Sequence, residues 1–209
     1  MRPLATVFAG FYRTTNILRP FGLALARQGF EVVLRALPGH GEEPPLDHVT
    51  FEALVDRCRA QMPERTSLLV GESLGGMVAL RIAQTARPPL STVVAIDPPL
   101  TMQKQTDIHA AFRPGMPASL RSYADLFGVT PMGPEERDYR WLLAQTSDAA
   151  VHVIAGGERR PRTVLDADDR ALIRAAEGVA LHERHDTNHM VLECDPEGSA
   201  EAIATIARG

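Results

Sequence analysis

Six short aliphatic runs alternate along the chain with longer segments of helical period. The runs are LATVFAG (4–10), EVVLRAL (31–37), SLLVGES (67–73), STVVAID (91–97), VHVIAGG (151–157) and VALHERH (179–185). Each is short enough for a strand and apolar enough to be covered on both faces. Between or after them lie NILRPFGLALARQG (16–29), FEALVDRCRAQM (51–62), GGMVALRIAQTA (75–86), DADDRALIRAAEG (166–178) and DPEGSAEAIATIAR (195–208), which space their apolar residues as helices do. Pro20 either opens or breaks the first of these. Alternation of this kind predicts an α/β fold: a mostly parallel sheet of about six strands with helices on both faces. The exception is 98–148, rich in Pro, Met and Gln and without a clear strand. It is expected to be a small cap of short helices inserted after the fourth strand.

A chain of 209 residues fits one such domain, spanning 1–209, with enough length to bury a core. With a net charge of −4, nothing in the composition suggests the strongly basic face that nucleic acid requires, so no nucleic-acid partner is expected. No run approaches the 18 or more apolar residues of a membrane span, and the first residues lead straight into a strand, so neither a membrane span nor a secretion signal is expected. Cys58 and Cys194 form neither a CxxC pair nor a metal-ligand spacing, so two free thiols and a cytoplasmic location are expected.

The chemistry-bearing stretch is GESLGG (71–76). A strand runs into a glycine, a lone serine follows, and a small-residue helix begins. Gly71, Ser73 and Gly75 match G-x-S-x-G in its strand–turn–helix context. Glycines lack the Cβ that would keep strand and helix apart, and the tight turn pushes the serine hydroxyl into the cleft beyond the strand ends, where open parallel sheets bind ligands. Without a base the motif is only a small-residue turn, because a serine hydroxyl is a poor nucleophile. His189, in HDTNHMVLECDPE (185–197) after the last strand, supplies the base.

With these residues in order, the chain resembles the α/β-hydrolase superfamily over nearly its whole length. The resemblance rests on FAGF (8–11), LPGHGE (37–42), GESLGG (71–76) and NHMVLECDPE (188–197). It implies Ser73 as nucleophile, His189 as base, and an oxyanion hole made by the backbone N–H groups of Leu74 and Phe11. Two further N-terminal strands usual in the family are missing from the pattern, so a trimmed sheet is expected.

The triad acid departs from the family pattern. It usually follows the fifth strand in a turn like G-x-x-D, whereas VIAGGERRPR (153–162) contains no aspartate. Counting from Ala155 puts Glu158 at the acid position; counting from Gly157 puts Arg160 there and leaves none. Asp97, at the end of the fourth strand and 24 residues after Ser73, is the preferred acid, since some superfamily members take theirs from this earlier strand. It otherwise reads as an Asp-Pro turn opener. Asp166 and Asp168 stand behind these two.

Arg13 and the arginines of ERRPR (158–162) are either a site for an anionic substrate group or solvated charges. Met102, Phe112, Met116, Tyr123, Met132 and Trp141 line either an acyl pocket or the cap's own core. His40 is expected to be a structural turn residue, His182 and His185 strand-end or surface residues, and His48, His109 and His152 carry no pattern. The expected activity is hydrolysis of a small carboxylic ester or thioester, with no metal or organic cofactor implied. Acyl transfer, cofactor-independent lyase or cyclase chemistry, or a non-catalytic binding role are the alternatives.

Overall fold

The computed structural model of the protein describes residues 2–85, 89–101, 117–120, 123–126, 138–157 and 163–209. Six strands form one sheet: β1 (Leu4–Phe8), β2 (Glu31–Arg35), β3 (Thr66–Glu72), β4 (Thr92–Ile96), β5 (Ala150–Ala155) and β6 (Val179–Glu183). Their spatial order is β2-β1-β3-β4-β5-β6, and every pairing is parallel. The chain moves outward from β1 to β2, then returns across β1 to place β3 on its other side. That reversal opens a crevice between the carboxyl ends of β1 and β3, the place where such sheets bind ligands.

Helices cover both faces. On one side α1 (Thr15–Arg27) and the C-terminal helix Pro196–Ile206 pack together. Leu18, Phe21 and Leu25, spaced i, i+3 and i+7, face Ala200, Ile203 and Ala204 in a core shared with Val7, Val70, Val94 and Ile154. On the other side α2 (Phe51–Gln61), α3 (Leu74–Ala83) and the helix Ala167–Ala175 bury Leu54, Met77, Leu80 and Ile173 against Leu69, Val93 and Val153. Alternate residues of one strand feed the two cores, as pleating demands. α1 runs unbroken through Pro20, because its buried apolar face holds the helix across the lost hydrogen bond.

The expected cap lies partly outside the described residues. Within them, 98–148 forms a 3₁₀ turn at Ala118–Leu120, a helical turn at Tyr123–Leu126 and another 3₁₀ turn at Arg140–Leu143. Leu120, Tyr123, Tyr139, Leu142 and Leu143 all join the main core with α2 and α3. The described cap residues therefore share the core of the domain. No helix among the described residues is long and apolar enough to cross a membrane. Cys58 is buried, Cys194 is exposed, and both are free.

Candidate active site

Ser73 sits at the carboxyl end of β3, immediately before α3, with φ 54° and ψ −120°. A non-glycine residue with positive φ is strained by about 1–3 kcal/mol and persists only where its surroundings enforce it. Here the enforcement is visible. A Cβ on Gly71 would lie 2.0 Å from the Gly75 carbonyl oxygen, and a Cβ on Gly75 would lie 2.5 Å from that of Ala9. Strand, helix and the end of β1 thus meet backbone to backbone, and the Ser73 N–H donates to the Ile96 carbonyl at 2.7 Å. The serine has to turn outward.

His189 comes from the loop after β6, and its Nε2 lies 3.1 Å from Ser73 Oγ. Two glycines at the end of β5 let that loop descend. A Cβ on Gly156 would be 2.4 Å from the Asn188 carbonyl oxygen, and one on Gly157 would be 2.4 Å from that of His185. The imidazole Nδ1 meets Asp97 Oδ2 at 2.5 Å. Nδ1 therefore carries the proton it donates to the carboxylate, which leaves the Nε2 lone pair to accept the serine hydroxyl.

Asp97 follows β4 and also has a positive φ, 44°. It is fully buried. Its Oδ1 accepts from the Gly156 N–H at 3.2 Å and from the Thr163 hydroxyl; its Oδ2 accepts from the Val164 N–H at 3.0 Å as well as from His189. A carboxylate with this many donors is held as an acceptor and fixed in orientation.

The other acid candidates lie elsewhere or outside the described residues. Asp166 caps the helix Ala167–Ala175, its Oδ1 accepting from the Asp169 N–H at 2.9 Å, and Asp168 is exposed in the first turn. Glu158 and the arginines of ERRPR lie outside the described residues, as do Met102, Phe112, Met116 and Met132.

The turn after β1 packs onto the serine, since a Cβ on Gly10 would be 3.0 Å from Ser73 Cβ. Phe11 follows it. Leu74 opens α3, so its N–H is one of the helix's N-terminal donors without an intrahelical acceptor. Phe11 also belongs to an aromatic cluster, its ring 4.9 Å from Tyr12 and 5.3 Å from both His40 and Tyr123. Tyr123 donates its hydroxyl to the Pro38 carbonyl at 2.9 Å, and His40 Nδ1 donates to the same oxygen at 3.0 Å. Burial holds His40 below the usual imidazole range, in its neutral form. His40 is the turn residue its sequence suggests.

Arg13 is not free for a substrate anion, because its guanidinium pairs with Glu193. Trp141 is 45% exposed, stacked edge-on against Phe51 on α2. It belongs to the outer side of the domain. A cavity of about 430 Å³ between Pro3, Phe30, Ser67, Thr92 and Arg208 lies at the amino ends of the strands, opposite Ser73. Among the described residues, no group of three or more His, Cys, Asp or Glu side chains is placed to hold a metal ion.

With strand order, elbow and histidine loop established, relatedness is decided by the match of residues 7–204 to the model of the alpha/beta hydrolase family. The chain is a member of that family. Among solved structures, this hydrolase is similar to an esterase from Pyrococcus furiosus at a TM-score of 0.68 and 16% identity, over 99% of this chain and 83% of that one. It is similar to a thioesterase domain from the curacin biosynthetic pathway at 0.66 and 16%, over 100% and 91%. The enol-lactonase of Burkholderia xenovorans gives 0.71 and 17%, over 100% and 92%. At such identities these neighbours establish the fold of the hydrolase. No curated protein is significantly similar to it in sequence.

Residues around the pair that sequence reasoning passed over include Thr163, Val164 and Gly156, which hold Asp97, and Glu72, buried beside Ser73. His152 and His182 also carry an unforeseen contact, Nδ1 to Nε2 at 3.0 Å across β5 and β6. Partial burial holds both below the usual imidazole range, and His182 further disfavours protonation of His152.

Proposed function

We propose that this protein is a serine hydrolase that cleaves a small carboxylic ester or thioester through an acyl-enzyme on Ser73. The observation that carries the reading is the continuous hydrogen-bonded chain from Ser73 Oγ through His189 to Asp97. His189 takes the hydroxyl proton as Ser73 Oγ attacks the carbonyl carbon. Asp97 keeps the imidazole in the tautomer that can accept this proton and stabilises the cation that forms. The N–H groups of Leu74 and Phe11 receive the oxyanion, a contribution of about 3 kcal/mol per donor in comparable sites. The imidazolium then protonates the departing alcohol or thiol. Water enters, gives a proton to His189 as its oxygen attacks the acyl carbon, and the imidazolium returns that proton to Ser73 Oγ as the Oγ–acyl bond breaks and the acid leaves. Structural neighbours named for esterase, thioesterase and lactonase activities are in keeping with acyl transfer to water on this scaffold.

The test is labelling with a fluorophosphonate, followed by turnover of a short p-nitrophenyl ester and of an acyl thioester. Modification at Ser73, with hydrolysis of either substrate abolished in Ser73→Ala, is the expected result. Modification without turnover of any ester or thioester would turn the assignment toward acyl transfer or lyase chemistry. Absence of labelling at Ser73 would overturn the nucleophile.

A further inference from the structure

Glu72 directly precedes Ser73 and is fully buried at the end of β3. Its Oε1 accepts from the Leu192 N–H at 3.2 Å. Leu192 lies in the four-residue helix Val191–Cys194 that begins two residues after His189. The neighbouring Glu193 of the same helix is paired with Arg13, which follows the Phe11 turn. The nucleophile strand, the turn after β1 and the segment carrying the base are thus tied together by two acidic side chains, Glu72 and Glu193, and one basic side chain, Arg13.

Two polar atoms in this region are buried without a partner among the described residues: Glu72 Oε2 and Arg13 Nε. One is an acceptor and the other a donor, and the two side chains attract each other electrostatically. The Arg13 guanidinium favours the ionised form of the Glu72 carboxyl. The charged and titratable groups acting on Glu72 are Arg13 and His189, which favour its ionisation, and Asp97, which opposes it. Complete burial outweighs them and lifts its pKa above the usual carboxylate range.

We propose that Glu72 is a positioning residue for the base: its carboxylate anchors the helix behind His189 and supplies a second buried negative charge, beside that of Asp97, that favours the imidazolium formed when Ser73 loses its proton. The inference rests on the reading of His189 as the base in a Ser73 hydrolase. Isolated from solvent, a charge at this place acts on His189 with little screening. Asp97 fixes the tautomer by direct contact, and Glu72 acts through the field and through Leu192.

The experiment compares wild type with Glu72→Gln, in which the amide oxygen still accepts from Leu192 while the charge is gone. The pH dependence of fluorophosphonate labelling and of kcat/KM is measured for both. The acid-side midpoint is expected to fall by about half a unit or more in Glu72→Gln, and kcat to drop severalfold with KM unchanged. An unchanged midpoint in a folded, labelled variant overturns the proposal. A wild type that does not label at Ser73 defeats the parent reading instead. Should Glu72→Gln fail to fold by circular dichroism, the side-chain carboxyl carbon of Glu72 in wild type is followed against pH by NMR. A carboxyl ionised at the pH of maximal kcat/KM supports the proposal; one still protonated there overturns it.

Discussion

Replacing Asp97 with asparagine takes an acceptor away from a carboxylate whose two oxygens are both fully used. Oδ1 receives Gly156 N–H and the Thr163 hydroxyl, and Oδ2 receives Val164 N–H and His189 Nδ1. The new amide nitrogen must occupy one of these two places. On the Oδ2 side it faces Nδ1 and drives the imidazole to the tautomer with its proton on Nε2, where it can no longer accept the serine proton. It also points at the Val164 N–H, donor against donor. On the Oδ1 side it leaves Gly156 N–H without an acceptor. Loss of the carboxylate in a comparable triad cost about 10⁴ in kcat, equivalent to about 5 kcal/mol of transition-state stabilisation. A buried N–H left without its acceptor costs about 1–3 kcal/mol, so Tm is expected to fall by roughly 5 °C in a chain of this size. Steady-state hydrolysis of a p-nitrophenyl ester, with thermal unfolding of the same preparation, measures both. Glu158→Gln serves as the control and is expected to keep near-wild-type turnover. Near-wild-type kcat in Asp97→Asn, or a collapse in Glu158→Gln alone, would refute the reasoning.

A Cβ on Gly75 would meet the backbone of Ala9 and Phe8, so Gly75→Ala is expected to cost about 3 kcal/mol or more. Gly178→Ala, at φ +75° but in open space, should cost only about 1 kcal/mol; denaturant unfolding of the two variants makes the comparison. His152 and His182 have folded-state pKa values below the unfolded one, so their contribution to stability is present above the unfolded value and lost as pH falls through the folded one. The Tm deficit of wild type relative to His182→Gln is therefore expected to grow as pH falls from 7 to 5, as read by thermal unfolding at both pH values. Burial pushes the Cys58 thiol up to about 12, whereas Cys194 is exposed. Ellman's reagent should consume one thiol in the folded protein and the second only on unfolding.

The parts of the site that lie next to strand ends were legible in the sequence. G-x-S-x-G marks its own elbow because only glycines permit the approach, and the histidine follows the last aliphatic run. Asp97 was legible from position alone, although its hold on His189 depends on Gly156 and Gly157 admitting the loop, which a linear reading sees only as a missing acid. Other features were hidden for physical reasons. The pairing of Arg13 with Glu193 joins residues 180 apart, and nothing local signals it. His152 meets His182 only through the β5–β6 register, in which His182 stands opposite Ile154. Glu72 sits in a strand buried on both faces, where no alternation reveals which way a side chain points. The helix Val191–Cys194 is too short to show a period. Helix α1 continues past Pro20 because tertiary burial overrides a local breaker.

The packing of α1 against the C-terminal helix also shapes how the protein must be made. Leu18, Phe21 and Leu25 leave the ribosome some 175 or more residues before Ala200, Ile203 and Ala204, which pack with them. At 5–20 residues per second the wait is roughly ten seconds or more. Over that interval the nascent chain carries a helix with an uncovered apolar stripe, and the sheet cannot be sealed on that face. A slower or faster synthesis changes how long that stripe stays uncovered before the native packing can form.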